Sequence, residues 1–330
     1  MKRRNFITRT TAAGVGVTFL GAYACKETKK EDKTIPEMEE SSAMTEPFFE
    51  LSLAQWSIHK MINEKGVDPY TFAEKAKNWG FKGLEYVSQL YPADLENDDY
   101  SPEAMTAFID KSNTEAEKHG MKNVLIMIDR QGNLAASDEA ERNETVEKHK
   151  KWVDAAAAMG CHAIRVNLNG SNDPEEWKMN SVDGLTKLGR YAKDKNINVL
   201  VENHGGLSSN GELHAEVMQM VAMDNVGTLP DFGNFCITRK PDSWDCEVMY
   251  DKYKGVKELM PYAKAVSAKS NVFDAEGNEE NIDYVKMLQI VKDNGYTGFV
   301  GVEYEGNVLS EEEGIIATRD LLLKAAKEVV

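Results

Sequence analysis

Three stretches of the sequence place an acid directly behind a short apolar, β-rich run. They are Val-Leu-Val-Glu202-Asn203-His204, Leu-Pro-Asp231-Phe-Gly-Asn234 and Gly-Val-Glu303-Tyr-Glu305. A carboxylate at the tail of such a run is costly to bury unless a proton, a cation or a metal neutralises it. Converging carboxylates with nothing between them repel, and an oxygen-dominated donor set suits Mn²⁺ or Mg²⁺, with Mn²⁺ the first expectation. His204, which alternation places on the face of Leu200 and Glu202, widens the choice to Zn²⁺ or Co²⁺. Further polar candidates stand at the other run ends: Trp56 and His59 after the first, Glu85 on the second, Arg165 and Asn167 on one face of the fourth, Lys269 on the face of Ser267. An aromatic plate beside hydrogen-bonding groups is what a sugar pocket requires, so Trp56, His59, Glu85, Arg165, Asn167, His204, Asn234 and Lys269 are candidate substrate-binding residues. The plainer alternative is a buried ion-pair network of the acids with Lys269 and Arg165. Glu305 reads as a solvated loop acid, and Glu311 to Glu313 as an acidic first turn of a helix.

These groups must be positioned by the elements around them. Apolar runs occur at Glu50 to Ala54, Lys82 to Tyr86, Asn123 to Ile128, Ala163 to Leu168, Asn198 to Val201, Val226 to Leu229, Ala263 to Ala268 and Gly298 to Val302. Segments of helical period separate them: Pro69 to Trp79, Pro102 to His119, Asp138 to Met159, Pro174 to Lys195, Glu212 to Met223, Tyr250 to Pro261, Ile282 to Asn294 and Glu313 to Lys327. Asp or Ser before Pro starts several of them, and Gly80, Gly120, Gly160 and Gly295 end others. Alternating βα units predict an α/β fold with a parallel sheet. Eight units, with no long insertion and no GxGxxG after the first strand, predict a single (β/α)8 TIM barrel, whose chemistry gathers at the C-terminal strand ends.

The Glu202-Asn-His-Gly-Gly turn, Pro-Asp231-Phe-Gly-Asn, Val-Ser267-Ala-Lys269 and Val-Glu303-Tyr-Glu-Gly together resemble the xylose-isomerase-like barrels of the sugar phosphate isomerase/epimerase family, over residues 50 to 328. The resemblance implies a divalent metal held by Glu202, Asp231 and Glu303, but the family's strand-seven histidine is replaced by Ser267. Ser267, water, His204 or Asn234 would complete the shell, or Lys269 would partly replace the cation. It also implies that Glu202 and Glu303 are catalytic, exchanging a proton at the carbon beside a carbonyl through an enediolate. Isomerisation or epimerisation of a saccharide is the expected activity. The alternatives are a 3-oxo-glycoside lyase working by β-elimination at the same site, or a non-catalytic sugar-binding lipoprotein. The related apurinic endonucleases use a histidine-rich trimetal cluster, to which only His204 and His59 are placed to contribute here, and the acidic charge and export signal also argue against that activity. Barrels of the family pair, so a homo-oligomer is an open expectation.

At the N-terminus, Lys2, Arg3, Arg4 and Phe6 precede an uncharged run from Ala12 to Ala24, the outline of a twin-arginine export signal over residues 1–24. Ala22-Tyr23-Ala24-Cys25 resembles a lipoprotein cleavage box, making Cys25 the candidate lipidation site and the sole expected membrane attachment. Residues 25–47 read as a flexible linker and 48–330 as the barrel, in the periplasm or tethered to its membrane. The 330 residues carry 39 Lys and Arg against 55 Asp and Glu, a net of −16. Without Lys2, Arg3, Arg4 and Arg9 the balance is 35 against 55, or −20. Such a surface repels phosphate backbones, which argues against a nucleic-acid partner. Cys161, Cys236 and Cys246 match no metal spacing and read as core thiols, with one disulfide left open.

Overall fold

The computed structural model describes residues 46–330; the expected export signal, Cys25 and nearly all of the linker lie outside the described residues. Among the described residues ten strands occur: β1 (Glu50–Ala54), β2 (Gly83–Val87), β3 (Lys122–Met127), β4 (Ala163–Val166), β5 (Asn198–Glu202), β6 (Val226–Leu229), β7 (Cys236–Arg239), β8 (Cys246–Met249), β9 (Val266–Ser270) and β10 (Phe299–Tyr304). The helices are α1 (His59–Asn63), α2 (Phe72–Asn78), α3 (Pro102–His119), α4 (Glu139–Ala158), α5 (Pro174–Lys193), α6 (Gly211–Val221), α7 (Lys252–Leu259), α8 (Tyr284–Asp293) and α9 (Glu311–Ala325).

Eight strands are parallel and neighbour one another in the order β6-β5-β4-β3-β2-β1-β10-β9. The circle closes where β6 meets β9 through parallel bridges at Thr228–Ala263 and Asp231–Ser267. Three backbone bonds make that seam: Lys264 N to Thr228 O (3.1 Å), Ser267 N to Pro230 O (2.9 Å) and Phe232 N to Ser267 O (3.0 Å). The domain is thus a single α/β TIM barrel. Helix starts follow local chemistry: Asp68, Ser101 and Asp173 each stand before a proline and accept a backbone N–H of the first turn. Gly120, at φ 63°, ends α3 in a left-handed conformation that costs glycine little.

Several boundaries differ from expectation. The seventh barrel strand begins at Val266 rather than Ala263, because a 3-10 turn over Met260–Tyr262 occupies the approach and Pro261 lacks a ladder donor. Helix α6 stops at Val221 because Ala222 turns left-handed, at φ 45°. The eighth barrel strand runs on to Tyr304, so Glu303 is a ladder residue. An insertion that the alternation did not reveal follows β6. It is the antiparallel hairpin β7–β8, whose turn contains Pro241 and Asp242. Cys236 and Cys246 form a disulfide across it, so neither is a core thiol, whereas Cys161 is free and buried as expected. Both bridged cysteines lie outside the apolar core, and their pairing staples a hairpin that is marginal by itself. Among the described residues no helix is long and apolar enough to cross a membrane.

The core fills the barrel and the layer beneath the helices. Trp152 of α4 is fully buried, meeting Phe108 edge-on at 6.1 Å and Tyr100 at 5.9 Å. Trp152→Ala should therefore lower stability by about 3–5 kcal/mol. Urea unfolding would show it as a lower midpoint at an unchanged slope; a midpoint within error of the parent would mean that the layer can collapse around the lost indole.

Candidate active site at the C-terminal barrel mouth

Inward-facing positions of successive strands build the site in layers. The lowest polar layer holds Glu85, whose Oε1 accepts from Ser52 Oγ at 2.5 Å while Oε2 has no partner. Gly301 is required opposite it, since a Cβ there would stand 2.5 Å from both Glu85 oxygens. Burial is the main reason the Glu85 carboxyl is pushed up to about 8, with Ser52 partly opposing.

Above this layer Glu202, Asp231 and Glu303 converge, all buried, with one oxygen from each within 4.8 Å of the others. Each is oriented by its own donors. Asn234 Nδ2 donates to Glu202 Oε1 at 3.0 Å. Arg165 Nε lies 2.9 Å from Glu202 Oε2, but its N–H is not aimed along the contact, which makes this an ion pair rather than a hydrogen bond. Asp231 Oδ1 accepts from the Gly233 and Asn234 amides at 2.8 Å, and Oδ2 from Ser267 Oγ at 2.6 Å. Asn203 fixes the adjoining backbone, accepting from Asp231 N and donating to Asp231 O and Asn234 O. Glu303 Oε2 receives Lys269 Nζ at 2.9 Å and lies 3.3 Å from Ser267 Oγ, whose single hydroxyl hydrogen is directed to the closer Asp231.

Lys269 also meets Glu305 Oε2 at 2.9 Å, and Trp56 Nε1 donates to Glu305 Oε1. Arg165 reaches Asp129 Oδ1 at 3.0 Å, an oxygen that also accepts from Asn167 Nδ2 at 2.8 Å. Burial opposes the charge on Lys269 and Arg165, but the surrounding acids outweigh it and raise both. Burial would likewise raise Asp129 and Glu305, yet Arg165 and Lys269 respectively hold them below the usual carboxylate range. The remaining acids lack enough cation: burial, with the neighbouring carboxylates, raises Glu202 and Asp231 although Arg165 and Lys269 partly offset it.

This charge balance tests whether a metal suits the site. Among the described residues, Glu85, Asp129, Glu202, Asp231, Glu303 and Glu305 face Arg165 and Lys269 alone as fixed cations. A carboxylate offers more acceptor positions than these donors occupy, so the triad can still bind a hard cation. Glu202, Asp231 and Glu303 thus fit a divalent ion, with Ser267 Oγ beside two of them. They would hold it while Lys269 keeps its contact to Glu303.

The other expected site residues take varied places. Trp56, Arg165, His204, Asn234 and Glu303 line one cavity of about 670 Å³ at the barrel mouth. His204 is exposed at its lip, its backbone N–H held by Ser208 Oγ, and it is not among the clustered ligand groups. His59 stacks on Trp56 at 4.3 Å, bonds Trp56 O and approaches Glu311, so it supports the tryptophan outside the cavity lining. Glu85 and Asn167 lie behind the lining. Glu305 is no solvated acid, because Trp56 and Lys269 bind it; Glu311 is buried and caps the Lys60 and Met61 amides. Asp129 went unnamed although it directly follows the third apolar run, where strand-end reasoning would have found it. Arg239, Trp244 and Met249 of the hairpin also line the cavity, and only a Pro-Asp turn between alternating runs signalled them.

Glu85 yields a test of the electrostatics. With its folded value near 8 and its ordinary value 4.5, its contribution to stability is complete below pH 4.5 and is lost as pH rises towards 8. After chelation of metals, Glu85→Gln should gain stability relative to the parent steadily from pH 5 to pH 8. Urea midpoints of both proteins at those two values check this, and a constant difference would contradict it.

Residues 73–325 match the family model described as the xylose isomerase-like TIM barrel. A search of curated proteins found no match. Solved structures share the fold at low identity. One titled L-ribulose 3-epimerase superposes with a TM-score of 0.64 at 14% identity, covering 85% of this chain and 96% of its own. The IOLI protein with a bound zinc atom gives 0.63 at 17%, covering 86% and 99%. The 3-keto-D-glucoside 4-epimerase YcjR of E. coli gives 0.61 at 12%, covering 84% and 99%. With the family model spanning most of the barrel, this chain belongs to the xylose isomerase-like TIM-barrel family.

Proposed function

We propose that the protein is a divalent-metal-dependent isomerase or epimerase of a saccharide, acting outside the cytoplasm. The observation that carries the reading is the convergence of Glu202, Asp231 and Glu303: Glu303 lines the cavity at the barrel mouth, and Glu202 and Asp231 stand just behind the lining residues Arg165, Gly233 and Asn234 that contact them. Neighbours titled as epimerases support the reaction class, and the zinc-bound neighbour supports a metal. Mn²⁺ is the proposed ion because the donor set is oxygen alone. The domain division proposed with it is an export signal over residues 1–24, a linker over 25–47 with lipidation at Cys25, and the barrel from 48. The Cys236–Cys246 disulfide supports an oxidising compartment.

In this reading a bound cation would polarise a substrate carbonyl and its neighbouring hydroxyl, stabilising the negative charge that builds there. Glu202 and Glu303 stand on β5 and β10, with Asp231 and Ser267 between them around the barrel. One carboxylate takes the proton from the carbon beside the carbonyl. The C–H electron pair moves towards the carbonyl oxygen, giving an enediolate. In epimerisation the other carboxyl returns a proton to the opposite face of the same carbon; in isomerisation a proton returns to the neighbouring carbon while the hydroxyl proton passes to the former carbonyl oxygen. Arg165 with Asn234 orients Glu202, and Lys269 orients Glu303, so both are pre-positioned for transfer. Trp56 supplies an apolar wall against a sugar ring.

A second reading, β-elimination from a 3-oxo glycoside, uses the same proton abstraction; the glucoside-acting neighbour favours it. Proton NMR in D₂O separates the two, after incubating the Mn²⁺-loaded protein with ketoses and 3-oxo glycosides and removing the ion before acquisition. Deuterium beside the carbonyl without cleavage supports the isomerase, and aglycone release the lyase. Glu202→Gln and Glu303→Gln should each lower exchange by roughly 10²–10⁴-fold, and chelation should abolish it. No exchange or release across the panel with Mn²⁺, Mg²⁺, Co²⁺ or Zn²⁺ would defeat both readings.

A further inference from the structure

The hairpin β7–β8 takes no part in the barrel, yet it is built to stay in one place. Its feet are anchored by Tyr250 N bonding Phe235 O at 2.9 Å, with Phe235 fully buried against Gly255, where a Cβ would come within 2.2 Å of the ring. The Cys236–Cys246 bridge joins its strands. A two-stranded ribbon is marginal without such devices, so their presence marks a fixed arm.

What the arm presents is an indole. Trp244 is 85% exposed, far beyond what a tryptophan normally leaves in water. Arg239 holds it, its guanidinium 5.0 Å from the ring centre and its Nη1 donating to Trp244 O at 2.6 Å. Met249, 58% exposed, extends the apolar surface. Arg239, Trp244 and Met249 line the same cavity as Arg165, His204 and Glu303. The cavity therefore has two parts: a charged floor, and an amphipathic lip of aromatic, thioether and guanidinium. Its volume of about 670 Å³ lies well inside the range of roughly 300–1,000 Å³ typical of ligand sites and exceeds what one hexose ring fills.

We propose that the hairpin is a second saccharide subsite, in which Trp244 stacks against the second ring of a glycoside whose first ring lies against Glu303, Arg165 and Asn234. The inference rests on the carbohydrate reading of the floor and narrows it from a free monosaccharide to a two-ring substrate. Sugar rings pair an apolar face with a rim of hydroxyls, so they suit an indole plate beside the donors of Arg239. Trp244 acts as a specificity residue, remote from the reacting carbon.

Calorimetric titration of the Mn²⁺-loaded full-length chain with disaccharides (cellobiose, maltose, lactose and sucrose) and with their component monosaccharides tests this. At least one disaccharide should bind more tightly than its monosaccharides. Trp244→Ala should reduce that ratio roughly three- to tenfold, and Trp244→Phe should restore part of it, an outcome that a merely structural role would not give. Cys236→Ser with Cys246→Ser should reduce the ratio as well. If monosaccharides bind and disaccharides gain nothing, or the ratio survives in Trp244→Ala, the subsite is overturned while the carbohydrate reading stands. If no saccharide of either kind binds, the reading of the floor falls and the subsite falls with it.

Discussion

Holding Glu202, Asp231 and Glu303 buried within 4.8 Å of one another is the constraint to which the rest of this structure answers. Like charges at that distance in a poorly polarisable interior repel strongly, and nothing in the apolar core could compensate them. The fold surrounds them with oriented donors instead. The Gly233 and Asn234 amides, Ser267, Asn234 and the ion pairs from Arg165 and Lys269 fix the carboxylates, and Asn203 ties down the backbone that carries Asp231. The compensation is deliberately incomplete in charge, which is why the site suits a further cation.

The barrel's closure and its site are one piece of architecture. The final seam joins β6 to β9 at Asp231 and Ser267, so the bonds that complete the circle also bring the acid against the serine that bonds it. Lys269, two residues further along the same strand, reaches Glu303 and Glu305. Lys269 thereby places a fixed positive charge beside the triad. Glu305 in turn holds Trp56, so the aromatic wall is tied to the same network.

Much of the fold was legible because it rests on local signals. Hydrophobic runs of strand length, Asp-Pro and Ser-Pro helix starts and left-handed glycines mark βα units without knowledge of neighbours. The runs Glu50 to Ala54 and Val226 to Leu229 and the helix Pro102 to His119 appear with the expected bounds. The candidate acids were legible for the same reason, since a carboxylate behind an apolar run at a strand end is a one-dimensional feature. The hairpin was not, because its strands are short and half exposed and lack the apolar density that marks a barrel strand.

By itself, then, the sequence determined the alternation, the helix starts and the acids that end the strands, because each depends on residues a few positions apart. Only the tertiary structure decided the partners. That Glu305 is bound rather than solvated, that Asp129 shares Arg165 with Glu202, that His59 props Trp56 and that Cys236 pairs with Cys246 follow from which strand ends meet around a closed circle. The physical reason is the range of the interactions. Periodicity and capping act within a few residues, whereas ion pairs and a buried charge balance join segments far apart in the chain and exist only once the barrel has closed.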